Sequence, residues 1–242
     1  MDAEREGLLI EFAKAHGLSE EWLPYLNIAL THKSYSNEIR SELDKKLDKH
    51  NQRLEFLGDS VLGLVAADYF YTHKKSSPEG DLTRFKSMTV CEPALVQVAQ
   101  NLNVQFFLRM GKGESATGGK SRDSNLADAM EALIGAIYLA GGFSAARNFV
   151  LKHFQSILVN PHSVEGNRDF KSSLQEALAK KDHTIPEYKL LKSMGPDHEK
   201  IFTVGLFIRG EKKSEGSAKT RKQAEQSAAE NYLKKSRAKS GP

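Results

Sequence analysis

Four carboxylates fall into two pairs whose spacing suits a helix. Glu55 and Asp59 stand at i and i+4 in RLEFLGDSVL; Asp128 and Glu131 stand at i and i+3 in NLADAMEALIGAIYL. At 3.6 residues per turn the first pair is about 40° apart around the helix axis and the second about 60°. Each pair therefore projects from one face of its own helix. Both lie inside apolar stretches, where an ionised carboxylate is costly to bury without a partner. No lysine or arginine lies one turn away to neutralise all four, and Arg53 and Arg122 are the nearest in sequence. Two such pairs facing each other need cations, and an all-oxygen ligand set selects hard ions such as Mg²⁺ or Mn²⁺. A site of that kind lowers the pKa of bound water and stabilises the charge that builds on a phosphate during displacement. The alternative at this level is ordinary solvated acids on amphipathic helices.

The elements that carry these residues read as helix after helix through residue 158. Leu8, Ile10, Phe12 and Leu18 open the apolar pattern, and Trp22, Leu23, Leu26, Ile28 and Leu30 continue it. Residues 36–50 are polar and charged, an exposed loop or a solvated helical excursion. The segment from Asn51 to Tyr71 is apolar on most of its circumference, which predicts a centrally buried helix. Ser77-Pro78-Glu79 supplies a cap, a proline at the first helical position and an acid in the first turn. Ser124 can cap the helix that carries Leu126, Met130, Leu133, Ile134, Ile137 and Leu139, and Gly141-Gly142 stops it. Residues 143–158 form a last helix. A polar linker, 159–167, precedes a different pattern: a helix at 169–180, strands at Glu187–Ser193, Lys200–Ile208 and Glu211–Ser217, and a helix at Thr220–Lys235.

Between Met110 and Asp123 the loop GKGESATGGKSRD invites a nucleotide-binding reading, but the P-loop spacing G-x-x-x-x-G-K-[ST] fails. Glu114 stands where glycine is required, and Gly113 is one position early. Gly118, Gly119, Lys120 and Arg122 suit approach to an RNA backbone, or simply a solvent-exposed loop. At the other end of the chain, Lys219, Arg221 and Lys222 crowd the start of the final helix, where the helix dipole and side-chain charge both favour phosphate. A solvated basic helix end is the plainer alternative.

Charge is unevenly distributed. Residues 1–165 carry 18 Lys+Arg against 21 Asp+Glu, and residues 166–242 carry 17 against 10, so a near-neutral acidic part precedes a basic one. That asymmetry fits a module that holds a polyanion, although an anionic membrane or solubility alone would also account for it. No uninterrupted apolar run approaches the ~18 residues of a membrane span, and the acidic N-terminus MDAEREGLLIEFAKAHG lacks the pattern of a secretory signal. The single cysteine, Cys91, leaves no intramolecular disulfide and no cysteine-based zinc cluster.

The stretch NQRLEFLGDSVL resembles the signature ERLEFLGDSVL of the ribonuclease III family. SNLADAMEALIGAIYL resembles that family's second acidic motif, and LTHKSY (Leu30–Tyr35) its N-terminal one. The similarity runs through essentially the whole chain in the family's order. It implies that Glu55, Asp59, Asp128 and Glu131 are the metal-binding, catalytic carboxylates, with Asp59 and Glu131 the indispensable pair. Glu79, in SPEGD, matches an auxiliary acid near the cleavage centre. Gln52 departs from the pattern, because bacterial members usually carry glutamate just before Arg-Leu-Glu. That position lies at the edge of the family's site, so Gln52 is expected to alter RNA contacts or metal requirement without abolishing cutting.

Residues 168–236 resemble a double-stranded-RNA-binding domain. Gln175 and Glu176, in FKSSLQEAL, match minor-groove readers. Pro196 and His198, in GPDHEK, match the loop that enters the next minor groove. Lys219, Arg221 and Lys222 match the cluster on the intervening major-groove phosphates. Such a module reads A-form shape and 2′-hydroxyls over about 16 base pairs. Ala218 replaces a glycine frequent in the motif.

Together the resemblances imply an all-α N-terminal endonuclease domain (1–158), the linker (159–167), and an α+β domain of order α-β-β-β-α (168–236). The implied activity is Mg²⁺-dependent endonucleolytic hydrolysis of double-stranded RNA, with Mn²⁺ able to substitute, leaving 5′-phosphate and 3′-hydroxyl ends. Cutting both antiparallel strands is met most simply by a two-fold homodimer. The expected setting is cytoplasmic processing of ribosomal RNA precursors and other structured transcripts, without membrane or nucleotide cofactor.

Overall fold

The computed structural model describes residues 1–38, 50–164, 170–182, 184–196 and 200–239. The chain divides into two compact units, Met1–Asn167 and Arg168–Pro242. In the first, the described helices are α1 (Ala3–His16), α2 (Leu23–Ala29), α3 (Lys33–Glu38), α4 (Gln52–His73), α5 (Glu79–Thr89), α6 (Glu92–Asn101), α7 (Val104–Phe107), α8 (Lys112–Ala116), α9 (Asp123–His153) and α10 (Gln155–Val159). The second contains α11 (Phe170–Asp182), β1 (Glu187–Met194), β2 (Ile201–Ile208), β3 (Glu211–Ala218) and α12 (Arg221–Lys239). The all-α then α-β-β-β-α order expected from the sequence is the order observed.

Helix α9 is the axis of the first unit. From Asn125 to Ile137 all but Asp128 and Glu131 are buried, so the helix is enclosed on nearly every side. It packs against α2, α4 and α6, and its contact with α4 is the most extensive between any two elements. By length and composition α9 does reach what a membrane span requires, contrary to the expectation drawn from uninterrupted apolar runs. Here it is a core helix, with Met130, Leu133, Ile134 and Ile137 fully buried. The helical path breaks at Gly142, where φ 76° and ψ −179° suit only glycine.

Several boundaries differ from expectation by a residue or two. Pro78 is the cap of α5 instead of its first residue, and α9 starts at Asp123, before Ser124. The glycine-rich segment is not all loop, because α8 and a 3₁₀ turn at Gly119–Ser121 occupy much of it. The predicted linker begins inside the first unit: a 3₁₀ turn at Pro161–Ser163 follows α10, and Pro161 and Val164 are buried. Helix α4 is buried on one side only. Phe56, Leu64 and Tyr71 remain exposed at 78%, 57% and 76%, because no described element of the chain covers that face.

A buried arginine ties the N-terminus to the segments that frame α4 and α9. Asp2 caps α1 by accepting from the Arg5 backbone N–H at 2.8 Å. The Arg5 side chain, 4% exposed, donates to Asn27 Oδ1 (3.0 Å) and to the carbonyls of Leu30 (3.0 Å) and Phe107. Beside those carbonyls, Arg109 N–H donates to Leu30 O (2.8 Å) and His32 N–H to Arg109 O (2.9 Å), forming a parallel bridge between Thr31 and Arg109. Asn51 N–H donates to Thr31 O at 2.9 Å, which fixes the entry to α4.

In the second unit the three strands pair antiparallel in the order β1-β2-β3. Arg209 (φ 54°) and Gly210 (φ 77°) form the two-residue turn joining β2 to β3. Helix α12 lies on the sheet through Ala224, Ala228 and Ala229, all fully buried. The approach is close at Gly216, where a Cβ would come within 2.2 Å of the Ala228 nitrogen. Leu174, Leu178, Leu206 and Ile208 complete this small core.

Candidate active site

Two glycines set the distance between the acid-bearing helices. A Cβ at Gly58 would stand 1.7 Å from the Glu131 carbonyl oxygen, and one at Gly135 would stand 2.3 Å from the Leu54 carbonyl oxygen. No side chain fits either place without moving backbone. Gly58 lies between Glu55 and Asp59, and Gly135 one turn after Glu131. The closest approach of α4 and α9 is therefore the point at which the four carboxylates emerge.

Electrostatics record their convergence. Burial first, then the charges of Asp59, Glu55 and Asp128, push the Glu131 carboxyl up to about 8. Burial and the Asp128 charge raise Glu55, while Lys33 opposes the rise. Burial also raises Asp128, with Lys33 pulling down and Glu92 adding to the rise. Asp59 is exposed; the other three are half-buried. Among the described residues no three Asp, Glu, His or Cys side chains converge tightly enough to hold one ion as they stand. The donor chemistry nonetheless fits a hard divalent cation: carboxylates from facing helices raise one another's pKa, and a cation removes that conflict.

Lys33 supplies neutralising charge from α3, remote from both acid-bearing helices in sequence. The LTHKSY motif was its only signal. The neighbouring loop is built by internal bonds: Asn125 Nδ2 donates to Gly119 O (2.9 Å) and Glu114 Oε1 (3.3 Å), and Arg122 pairs with Glu114 at 2.5 Å. Glu38 accepts from the backbone N–H groups of Lys112 (3.0 Å) and Gly113 (3.4 Å), joining α3 to the start of α8.

The remaining sequence-predicted residues are dispersed. Gln52, exposed at the start of α4, lines a polar cavity shared with Asp128. Glu79 is exposed at the start of α5 and accepts from Thr83 Oγ1 at 2.8 Å. In the second unit Gln175 is exposed on α11 and Pro196 in the β1–β2 connection. His198 and the Glu176 side chain lie outside the described residues. Lys219, Arg221 and Lys222 are exposed around the first turn of α12, where Thr220 Oγ1 accepts from Gln223 N–H at 3.2 Å. Arg221 also pairs with Glu225 at 3.2 Å.

A Ribonuclease-III-like family model matches residues 25–158, and a double-stranded RNA binding motif matches residues 170–236. The chain belongs to the ribonuclease III family. The ribonuclease 3 of Treponema denticola is 44% identical over 95% of this chain and 91% of its own length; that of Moorella thermoacetica is 44% identical over 95% of each. A structure of the ribonuclease III nuclease domain from Campylobacter jejuni, concerned with flexibility in a region involved in dimer formation, is 35% identical. It covers 60% of this chain and 95% of its own, with a TM-score of 0.54. As a ribonuclease III family member the chain is an endoribonuclease.

The glycine contact makes a direct prediction for this ribonuclease III fold. Gly58→Ala must displace α9 backbone, and overpacking of that kind costs about 1–3 kcal/mol or more. The variant is expected to melt earlier and to lose cleavage of double-stranded RNA. An unchanged melting temperature with full activity would show that the crossing is looser than described.

Proposed function

We propose that the chain is a divalent-cation-dependent endonuclease of double-stranded RNA, with Glu55, Asp59, Asp128 and Glu131 holding Mg²⁺ or, in substitution, Mn²⁺. The observation that carries this reading is the Glu131 carboxyl, raised to about 8 by burial and three neighbouring acids. A fold that only needed stability would not bring four carboxylates to one helix crossing. When bound, the cation supplies an activated water and stabilises charge on the cleaved phosphate. Glu131, its carboxyl raised to about 8, would give up its proton on becoming a ligand. Lys33 lies in the field of Glu55 and Asp128 and offers a positive charge to the incoming phosphate. Products with 5′-phosphate and 3′-hydroxyl ends follow from the family resemblance.

The basic module supplies a grip on A-form RNA through Gln175, Glu176, Pro196, His198, Lys219, Arg221 and Lys222. Gln52 and Glu79 lie outside the ligand set and serve contacts with RNA. The domain division is 1–158 for chemistry, 159–167 for connection, its first residues packed on the nuclease unit, and 168–236 for RNA binding. A homodimer gives each strand its own carboxylate cluster, and the exposed Phe56, Leu64 and Tyr71 form an apolar face suited to a second copy. Processing of ribosomal RNA precursors and other structured transcripts in the cytoplasm is the setting this chemistry fits.

Two experiments test the reading. Glu131→Gln or Asp59→Asn should reduce cleavage by more than the ~100-fold that loss of an outer-sphere metal partner costs, while RNA binding persists in gel shifts. Cleavage at a near wild-type rate by either variant would remove these residues from the centre. Replacing Arg221 and Lys222 with alanine should weaken binding and lower the slope of log affinity against log salt by roughly one unit per lost phosphate contact. An unchanged slope would place the phosphate grip elsewhere.

A further inference from the structure

Beside the carboxylates lies a polar cavity of about 270 Å³ bordered by Asp128. Part of its polar wall is already committed. His32 Nδ1 is 2.8 Å from Ser34 Oγ, Asn125 donates to Gly119 and Glu114, and Arg122 is paired with Glu114. Of the remaining groups, which include the exposed Gln52 and Ser124, Lys33 and Asn51 stand out. Lys33 forms no ion pair among the described residues, although its charge acts on both Glu55 and Asp128. Asn51 is 2% exposed, and its Oδ1 has no hydrogen-bond partner among the described residues.

Asn51 has no evident structural duty for that side chain. It precedes α4 but makes no side-chain cap bond. Its backbone is held from both sides, by its own N–H on Thr31 O and by Glu55 N–H on its carbonyl, each at 2.9 Å. An alanine would keep both bonds. Buried amide oxygens without a partner are rare and costly in folded proteins, which marks this one as serving something outside the chain.

Resting on the proposed nuclease reading, we propose that this cavity seats the ribose-phosphate of a nucleotide adjoining the cleaved bond, with Lys33 on phosphate and Asn51 accepting from the ribose 2′-hydroxyl. Asn51 and Lys33 offer an acceptor and a cation, and one RNA nucleotide presents the matching donor and anion together. At about 270 Å³ the cavity is slightly smaller than the usual ligand site of about 300–1,000 Å³, and suits one ribose-phosphate unit and no larger group. DNA lacks the donor, so Asn51 is a specificity-determining residue by which the nuclease unit itself distinguishes RNA from DNA, independently of the C-terminal module.

The test uses the full chain and an RNA duplex whose cleavage position has been mapped. A set of duplexes then carries a single 2′-deoxynucleotide at each position flanking that bond, and single-turnover kcat/KM is compared. For the wild type, one flanking position should lose about tenfold, the usual effect of leaving one buried polar group unpaired. Asn51→Ala should lose a similar factor on all-RNA duplex and show no further loss at that position. Lys33→Ala should slow both duplexes while keeping their ratio. No sensitive position in the wild type, or full discrimination retained by Asn51→Ala, overturns the assignment. The wild-type scan decides even if the alanine variant folds poorly. Failure to cut unmodified RNA would instead sink the nuclease reading, a separate and distinguishable outcome.

Discussion

The close crossing of α4 and α9 is the constraint on which the site depends. Gly58 and Gly135 let each helix backbone rest against a carbonyl of the other, so the side chains flanking the contact are forced into one another's company. Those side chains are acids. Burial and like charge at these positions both oppose ionisation, and together they push Glu131 up to about 8. The sign is defined: a carboxyl whose folded pKa is raised from 4.5 stabilises the metal-free fold in its protonated form below about 4.5, and loses that contribution as pH climbs to about 8. The enclosed apolar length of α9 keeps the crossing in place against this repulsion.

Around the crossing, polar scaffolding positions what the helices cannot. Arg5 reaches from α1 to the Leu30 and Phe107 carbonyls, and the Thr31–Arg109 bridge beside them sets the start of α3 and the approach to α8. Through Thr31 the same bridge holds Asn51 and hence the first turn of α4. Lys33, Asn51 and the Glu114–Arg122 loop consequently meet at one cavity despite their separation in sequence. An N-terminal helix lying outside the matched family region thereby contributes to the geometry of the site.

Much of this was legible in the residues themselves. The i,i+4 and i,i+3 acid pairs in apolar helices survive into the structure as one electrostatic cluster, because helical periodicity alone decides which face they share. The α12 alanines likewise lie on the sheet as their pattern required. What was not legible depends on tertiary contact. Lys33 is a single lysine in a polar stretch, and only the fold brings its charge to Glu55 and Asp128. Arg5 reads as a surface residue of an acidic helix until its carbonyl partners are known. The one-sided exposure of α4 was hidden because hydrophobicity predicts burial without saying whether the same chain supplies the cover. The short helix α8 was obscured by glycines, since its start is held by Glu38 from another element.

The central claim is that the four acids act as a single centre awaiting a divalent cation. Calorimetric titration of Mg²⁺ into the metal-free protein at about pH 7, in buffers of different ionisation enthalpy, tests it most directly. With Glu131 raised to about 8, binding there should release up to about one proton per protomer, and affinity should climb as pH rises toward about 8 and level off above it, where the release falls away. Mg²⁺ binding without proton release, and with an affinity indifferent to pH, would contradict the account.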